Sequence, residues 1–488
     1  MRDKIIKWAG GSMLFAFISS NFAFADETVD TLSLVRELQE QMKHMQQTIS
    51  QQQDEIQALK QARVSIAPQK SEAVVAAPAP AATAMTDADF TSMLDNTTGG
   101  ATKWLKDLKF SGDLRMRYEG LHYHSGSANE TDDRNRFRYR LRYGFEKKMN
   151  SDMKIGFSMA SGEQSSGANS DPNSTNTTFD NNFNFKPIFI ERAYATYTPR
   201  YLSNLGPLTK TEITGGKMTN AFEKGSSDLV WDRDVKPEGV YEKADFTLID
   251  TPDFGLNVHA TLGQFILDED ATVGGDANLF AYQIGVTPSF QLMDMPVSWL
   301  HAISFYDFDH YAINNNFTAP VSLARTNPDV DGISTALDAG SFKVIEYYSE
   351  LGFTILNSLP AGLYLDLAGN PADRANGSSG TTLDAKFGND FAWALGAKLG
   401  GVKKKGDWEI GYQYKYIGAD AVPAAFNDNE FGDGFTGKRG SVFKLGYGLT
   451  DTIIFNGAAF FVENLNPGTA SIIDQQQRRF QVDLVWKF

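Results

Sequence analysis

The last nine residues, Phe480-Gln481-Val482-Asp483-Leu484-Val485-Trp486-Lys487-Phe488, constrain the fold more than any other segment. Phe480, Val482, Leu484, Trp486 and Phe488 take every second position, with Gln481, Asp483, Val485 and Lys487 between them. Side chains on a strand alternate between its two faces, so this pattern sets a greasy face against a largely polar one. A strand of this kind, ending on an aromatic, suits the closing strand of a barrel in lipid. An edge strand of a soluble sandwich would share the alternation, and the rest of the chain decides between the two.

The opposite end reads as an export signal. Arg2, Lys4 and Lys7 precede an apolar stretch from Trp8 to about Phe24, and Ala23-Phe24-Ala25 forms a small-x-small cleavage site. A signal peptide over residues 1–25 is therefore expected. With 488 residues and no Cys, the chain has no disulfide, thiolate metal site, Cys nucleophile or lipoprotein anchor. After the signal no run of eighteen apolar residues occurs, so a transmembrane helix is not expected. A barrel needs none, because its lipid-facing residues are diluted by lumen-facing ones and polar loops. Aromatics at 12% and 43 Gly fit interfacial girdles and tight strand packing, and the net charge of −15 argues against a nucleic-acid partner.

Residues 26–65 carry Val35, Leu38, Met42, Met45, Ile49, Ile56 and Leu59 at alternating spacings of three and four, with Gln52 in the missing slot. That is an a/d seam, and so thin a stripe calls for a partner helix. A short self-associating coiled coil in the periplasm is expected. One amphipathic helix packed on the barrel rim is the alternative. Residues 66–104 are an Ala/Pro-rich linker that cannot bury a core.

From about residue 105 the pattern turns to period two. Leu108, Phe110, Gly112, Leu114, Met116 and Tyr118 alternate with Lys109, Ser111, Asp113, Arg115, Arg117 and Glu119. Phe137, Tyr139, Leu141, Tyr143 and Phe145 alternate with Arg136, Arg138, Arg140, Arg142, Gly144 and Glu146, after a polar loop from Ser125 to Arg134. Marking such segments over residues 105–488 gives sixteen strands, starting near 108, 135, 153, 187, 209, 239, 254, 278, 297, 341, 360, 390, 407, 440, 452 and 476. The fold class expected is an all-β transmembrane protein, a closed antiparallel 16-stranded barrel preceded by the coiled coil. With the N-terminus periplasmic, odd-numbered connections should be long and extracellular, the first of them over residues 120–134 with His122 and His124, and even-numbered ones short, and the spacing alternates in this way.

Two segments carry the functional signal. Arg115, Arg117, Arg136, Arg138, Arg140 and Arg142 share one face of the first hairpin. On the lipid side each would cost about 2–4 kcal/mol near the midplane, so they are expected to line the bore, with Asp113, Glu119 and Glu146 as nearby counter-ions. Such a wall would attract anions. If fully ion-paired, it would not select. The third long connection carries Glu223, Asp228, Asp232 and Asp234 together with Phe222, Leu229, Val230 and Trp231. A solvated loop needs no such apolar anchors, so the loop is expected to fold inward and set its carboxylates opposite the arginines. An exposed loop packed on itself, or one at a subunit contact, is the alternative.

Asp228-Leu229-Val230-Trp231-Asp232-Arg233-Asp234-Val235-Lys236-Pro237-Glu238-Gly239-Val240 resembles a motif of the bacterial "putative porin" family. The strands Phe110–Tyr118 and Arg138–Phe145, and the order of signal peptide, coiled coil, linker and barrel, are similar to that family too. The alternating C-terminus, with Phe480, Val482, Leu484, Trp486 and Phe488, resembles the signal recognised by the outer-membrane barrel assembly machinery. The family resemblance implies a channel for small hydrophilic solutes, bedded in outer-membrane lipid, with a homotrimer expected by analogy with porin symmetry, and supplies no site residues.

Other classes find less support. His122 and His124 could chelate only with further ligands, and no GxSxG, HExxH or phosphate-binding glycine loop occurs. No enzyme activity, metal or cofactor is expected. A tether from the outer membrane to peptidoglycan, through the coiled coil, is one alternative. A barrel sheathing an electron conduit is another, although the chain has no CxxCH for a haem of its own.

Overall fold

The computed structural model describes residues 107–125, 133–163, 172–203, 205–269, 276–293, 295–309, 341–356, 358–372, 390–465 and 475–488. The signal peptide, coiled coil and linker expected over residues 1–104 lie outside them.

Seventeen strands follow in chain order: β1 (Leu108–Ser125), β2 (Arg134–Lys148), β3 (Met153–Ser161), β4 (Thr177–Thr178), β5 (Ile188–Tyr197), β6 (Leu208–Lys217), β7 (Glu238–Asp250), β8 (Phe254–Asp268), β9 (Ala277–Leu292), β10 (Met295–Asp309), β11 (Ser341–Ile355), β12 (Leu359–Gly369), β13 (Phe391–Gly400), β14 (Trp408–Ile417), β15 (Lys438–Gly448), β16 (Ile453–Asn464) and β17 (Gln475–Lys487). Sixteen span the barrel wall. The exception, β4, is two residues long and pairs with β2 beyond the reach of β3. All sixteen fall within a few residues of the starts read from the sequence.

Each spanning strand pairs antiparallel with its neighbours, and β17 pairs with both β16 and β1. The seam from Asp113↔Lys487 to Ser125↔Gln475 closes the sheet, so the first and last strands find partners without water. That seam also carries β1 to Ser125, so residues 120–125 are strand where a loop was expected, and His122 and His124 lie on a strand. His122 Nδ1 sits 2.7 Å from Asp133 Oδ2, and the described residues contain no cluster able to hold a metal.

The polarity of this protein is inside out. Exposed side chains include Phe137, Leu262, Ile284, Ile303, Leu395, Phe443, Phe480 and Val482. Buried ones include Arg117, Glu119, Arg138, Glu346, Asp366, Lys415 and Asp483. Water would reverse this arrangement, whereas hydrocarbon outside and a polar interior require it. Along β17 the alternation is strict: Phe480 and Val482 face out, and Arg479, Gln481, Asp483 and Val485 face in.

Two glycines show how closely the wall is packed. Gly239, at the end of the Asp228–Val240 motif, has φ +148°, and a Cβ there would lie 2.1 Å from the carbonyl oxygen of Gln264 on β8. At Gly396 a Cβ would meet the ring of Tyr364, which lies across the glycine from the neighbouring strand.

Leu395, 53% exposed in mid-β13, tests the lipid face. We predict that Leu395→Arg lowers barrel stability by about 2–4 kcal/mol in guanidinium unfolding from lipid vesicles, while Leu395→Ala changes it far less. Equal effects would contradict the outward assignment.

Candidate functional site

The register of β1 and β2 builds the basic wall. Arg115 is opposite Arg140, Arg117 opposite Arg138, Glu119 opposite Arg136 and Asp113 opposite Arg142. Directly opposed like charges destabilise a sheet, so this row needs counter-ions, and it has them. Asp113 accepts from Arg140 at 2.7 Å and from Arg142 at 2.9 Å. Glu119 pairs with Arg136 and accepts from Gln481 at 2.9 Å. Asp483 of β17 grips Arg117 with both oxygens, at 2.7 and 2.8 Å, and lies 3.8 Å from Arg115. Glu430 takes the remaining side of Arg117. Arg138 has Glu163 at 3.6 Å, and Arg142 has Glu191 at 3.7 Å. Of the counter-ions expected from sequence, Asp113 and Glu119 meet the ladder. Glu146 instead accepts from Lys154 at 3.3 Å and from the hydroxyl of Tyr194.

With Arg192, paired to Glu191, and Arg479, paired to Asp433, the wall holds eight arginines. Eight carboxylates face them: Asp113, Glu119, Glu163, Glu191, Asp234, Glu430, Asp433 and Asp483. The ladder is basic along β2 and balanced in space.

The connection between β6 and β7, residues 218–237, folds inward. Met218, Phe222, Leu229, Val230, Trp231 and Val235 are buried against an apolar patch formed by inward residues of β8 to β16, among them Phe265, Leu279, Tyr306, Phe308, Phe342, Val442 and Phe460. Trp231 is the centre of this contact, with ring centroids 5.3 Å from Tyr306, 6.0 Å from Phe308 and 5.7 Å from Phe426. Complete burial of such side chains is worth about 1.5–3 kcal/mol each. Ser226 and Ser227 add polar anchors: Ser226 Oγ donates to Glu346 at 2.7 Å and Ser227 Oγ to Asp366 at 2.6 Å.

Phe426 belongs to a second inward segment, the connection 418–437 between β14 and β15, where Ala421, Val422 and Phe431 are buried. Its backbone joins the first: Asp232 N donates to Phe426 O at 2.6 Å, and Asn429 N donates to Asp232 Oδ2 at 3.0 Å. Sequence reasoning passed over this segment and its Glu430, although its apolar residues are the same kind of signal that marked the first loop.

The four loop carboxylates separate. Asp234 reaches the ladder, 3.5 Å from Arg142. Asp228 instead lies 3.0 Å from Arg233 and 3.4 Å from Lys444. Burial opposes its charge, yet Lys444, Arg233 and Lys415 outweigh burial and hold its carboxyl well below the usual range. Asp232 is turned toward the second segment, and burial with Asp234 and Asp428 nearby pushes its carboxyl up. Glu223 is likewise raised by burial, only partly offset by Lys236 and Arg233. Glu430, which burial alone would raise, is held low by Arg117, Arg115 and Arg479.

Beside the ladder, Arg115, Arg140, Asp483, Val485 and Lys487 line a cavity of about 310 Å³ with Val402, Glu409, Gly446, Ile454 and Asn456.

The family model described as "Putative porin" matches residues 122–337 and 338–488. No curated protein matches the sequence. Among solved structures, a high-pH structure of OprB from Pseudomonas putida is 13% identical, with a TM-score of 0.45 over 80% of this chain and 97% of that one. In-vitro folded OmpT of Vibrio cholerae is 11% identical, with a TM-score of 0.38 over 78% and 97%. A trimer form of OmpT is 10% identical, with a TM-score of 0.37 over 78% and 99%.

We predict that Trp231→Ala loosens the loop, because replacing a buried Trp by Ala costs about 3–5 kcal/mol. Single-channel recordings should then show larger and noisier openings than the parent protein. Unchanged conductance and noise would mean that the loop does not set the bore.

Proposed function

The chain belongs to the "putative porin" family, and from that premise we propose that small hydrophilic solutes and ions cross its bore by passive diffusion, with mild preference for anions. The protein is a porin-like channel of the outer membrane, a closed barrel of sixteen spanning strands. The observation that carries the diffusion reading is the inverted polarity, with guanidiniums and carboxylates inside an apolar exterior. No step of bond making or breaking is needed to account for the side chains gathered there.

In this reading Arg115, Arg117, Arg136, Arg138, Arg140 and Arg142 form the basic wall of the bore. Glu223, Asp228, Asp232 and Asp234 belong to the loop that narrows it. The pairing of arginines with carboxylates keeps the preference mild: a passing ion meets dipoles as well as net charge. The contact of Asp234 with Arg142 supports a bore edge shared by wall and loop. We further propose that residues 26–65 form a periplasmic coiled coil behind the linker at 66–104, that residues 1–25 are a cleaved signal, and that three copies assemble. The terminal pattern from Phe480 to Phe488 would serve recognition by the barrel assembly machinery. Binding of peptidoglycan by the coiled coil is a compatible second role.

Planar-bilayer recording of the purified full-length protein tests this. Stepwise conductance and a reversal potential on the anion side in a KCl gradient are expected. Arg138→Ser with Arg140→Ser should move that potential toward zero. A protein without conductance would sink the channel reading, and an unmoved potential would remove the ladder from selectivity.

A further inference from the structure

The inward loop presents to the bore a charge opposite to its composition. Among the charged residues of 219–237, only Lys224 and Arg233 are exposed. The side chain of Arg233 is 77% exposed, whereas those of Asp228 and Asp234 are 15% and 19% exposed. The carboxylates are turned to the wall and to the second inward segment, and the guanidinium is left facing open space.

The local count of charge is also uneven. Asp228 serves both Arg233, at 3.0 Å, and Lys444, at 3.4 Å. Lys444 is an inward residue of β15 and is itself 47% exposed. At ion-pair distance the two cations share this one carboxylate, while Glu223 acts on Arg233, and Asp428 and Glu430 on Lys444, from further off. In the ladder, by contrast, the arginines meet an equal number of acids at ion-pair distance. Lys444 also sits one inward position from Gly446, which lines the 310 Å³ cavity together with Arg115 and Arg140. The Asp234–Arg142 contact holds the loop beside the ladder.

We propose that Arg233, braced with Lys444 around Asp228, is the principal anion-contacting residue of the bore, a transient site for small carboxylates and inorganic oxyanions in transit. This rests on the channel reading above and adds a contact site on the loop to the ladder's share of the mild anion preference. A guanidinium suits the task because its planar donors match a carboxylate or phosphate oxygen pair. Asp228 orients the guanidinium through Nε and leaves the other donors for a solute.

The test compares parent, Arg233→Gln, Arg233→Lys and Asp228→Asn proteins, full length, in planar bilayers under a KCl gradient and with potassium acetate or phosphate as the probe. The parent should be anion-preferring, with acetate current that saturates. Arg233→Gln should lower the anion-to-cation permeability ratio several-fold and remove the saturation, while Arg233→Lys keeps most of the ratio. Asp228→Asn, which removes the acid in direct contact with both cations, should raise the ratio, and it keeps the proposal open to refutation should the glutamine variant fail to insert. An anion-preferring parent whose ratio is the same in Arg233→Gln, or falls in Asp228→Asn, overturns the assignment to Arg233. A conducting parent with no ion preference overturns the selectivity reading beneath it instead.

Discussion

Every other feature of this molecule depends on the seam between β1 and β17. A strand in hydrocarbon cannot leave its N–H and C=O groups unpaired, because each would cost several kcal/mol with no water to take them. The first strand must therefore find the last across nearly the whole described chain, from Asp113↔Lys487 to Ser125↔Gln475. Closure then decides the chemistry of the interior. It fixes which face of every strand is wet, and it brings Asp483 and Arg479 beside the arginines of the first hairpin.

The charged wall shows what that closure resolves. The hairpin alone would set Arg115 against Arg140 and Arg117 against Arg138, a repulsive arrangement in any medium. Relief arrives from three directions. Asp113 and Glu119 come from the same hairpin, Asp483 from the far end of the chain, and Glu430 and Asp234 from the two inward segments. Desolvation of ions is costly, and shared, multiply bonded partners are what make it tolerable. A carboxylate held by two guanidiniums, as Asp113 is, satisfies that demand better than isolated pairs would.

Much of the fold was legible in the residues because a barrel wall repeats one rule. Alternation located the sixteen spanning strands within a few residues, and Phe222, Leu229, Val230 and Trp231 marked a loop that needed something apolar to rest on. The short β4 was not legible: two threonines carry no period, and their pairing depends on where β3 stops. The upper end of β1 was read as loop because His122, His124 and Ser125 look polar, while their pairing is set by β17. In the site, local pattern could place the arginines on one face but could not supply partners distant in sequence. Nor could it orient the loop carboxylates. Trp231 is directed to the wall, and its neighbours Asp232 and Arg233 then diverge, one into the second segment and the other into open space.

The interlock of the two inward segments bears on how such a barrel comes into being. Residues 218–237 follow the fifth spanning strand, and residues 418–437 follow the thirteenth, yet Asp232 and Phe426 share a backbone bond and Trp231 rests on Phe426. Part of the first loop's support is thus synthesised and threaded late. Until the final hairpins arrive, a growing barrel has its first segment only partly braced and its carboxylates without Asn429. Maturation of the filter is coupled to completion of the cylinder, so a stalled, half-built intermediate would be the leakiest form this polypeptide can take.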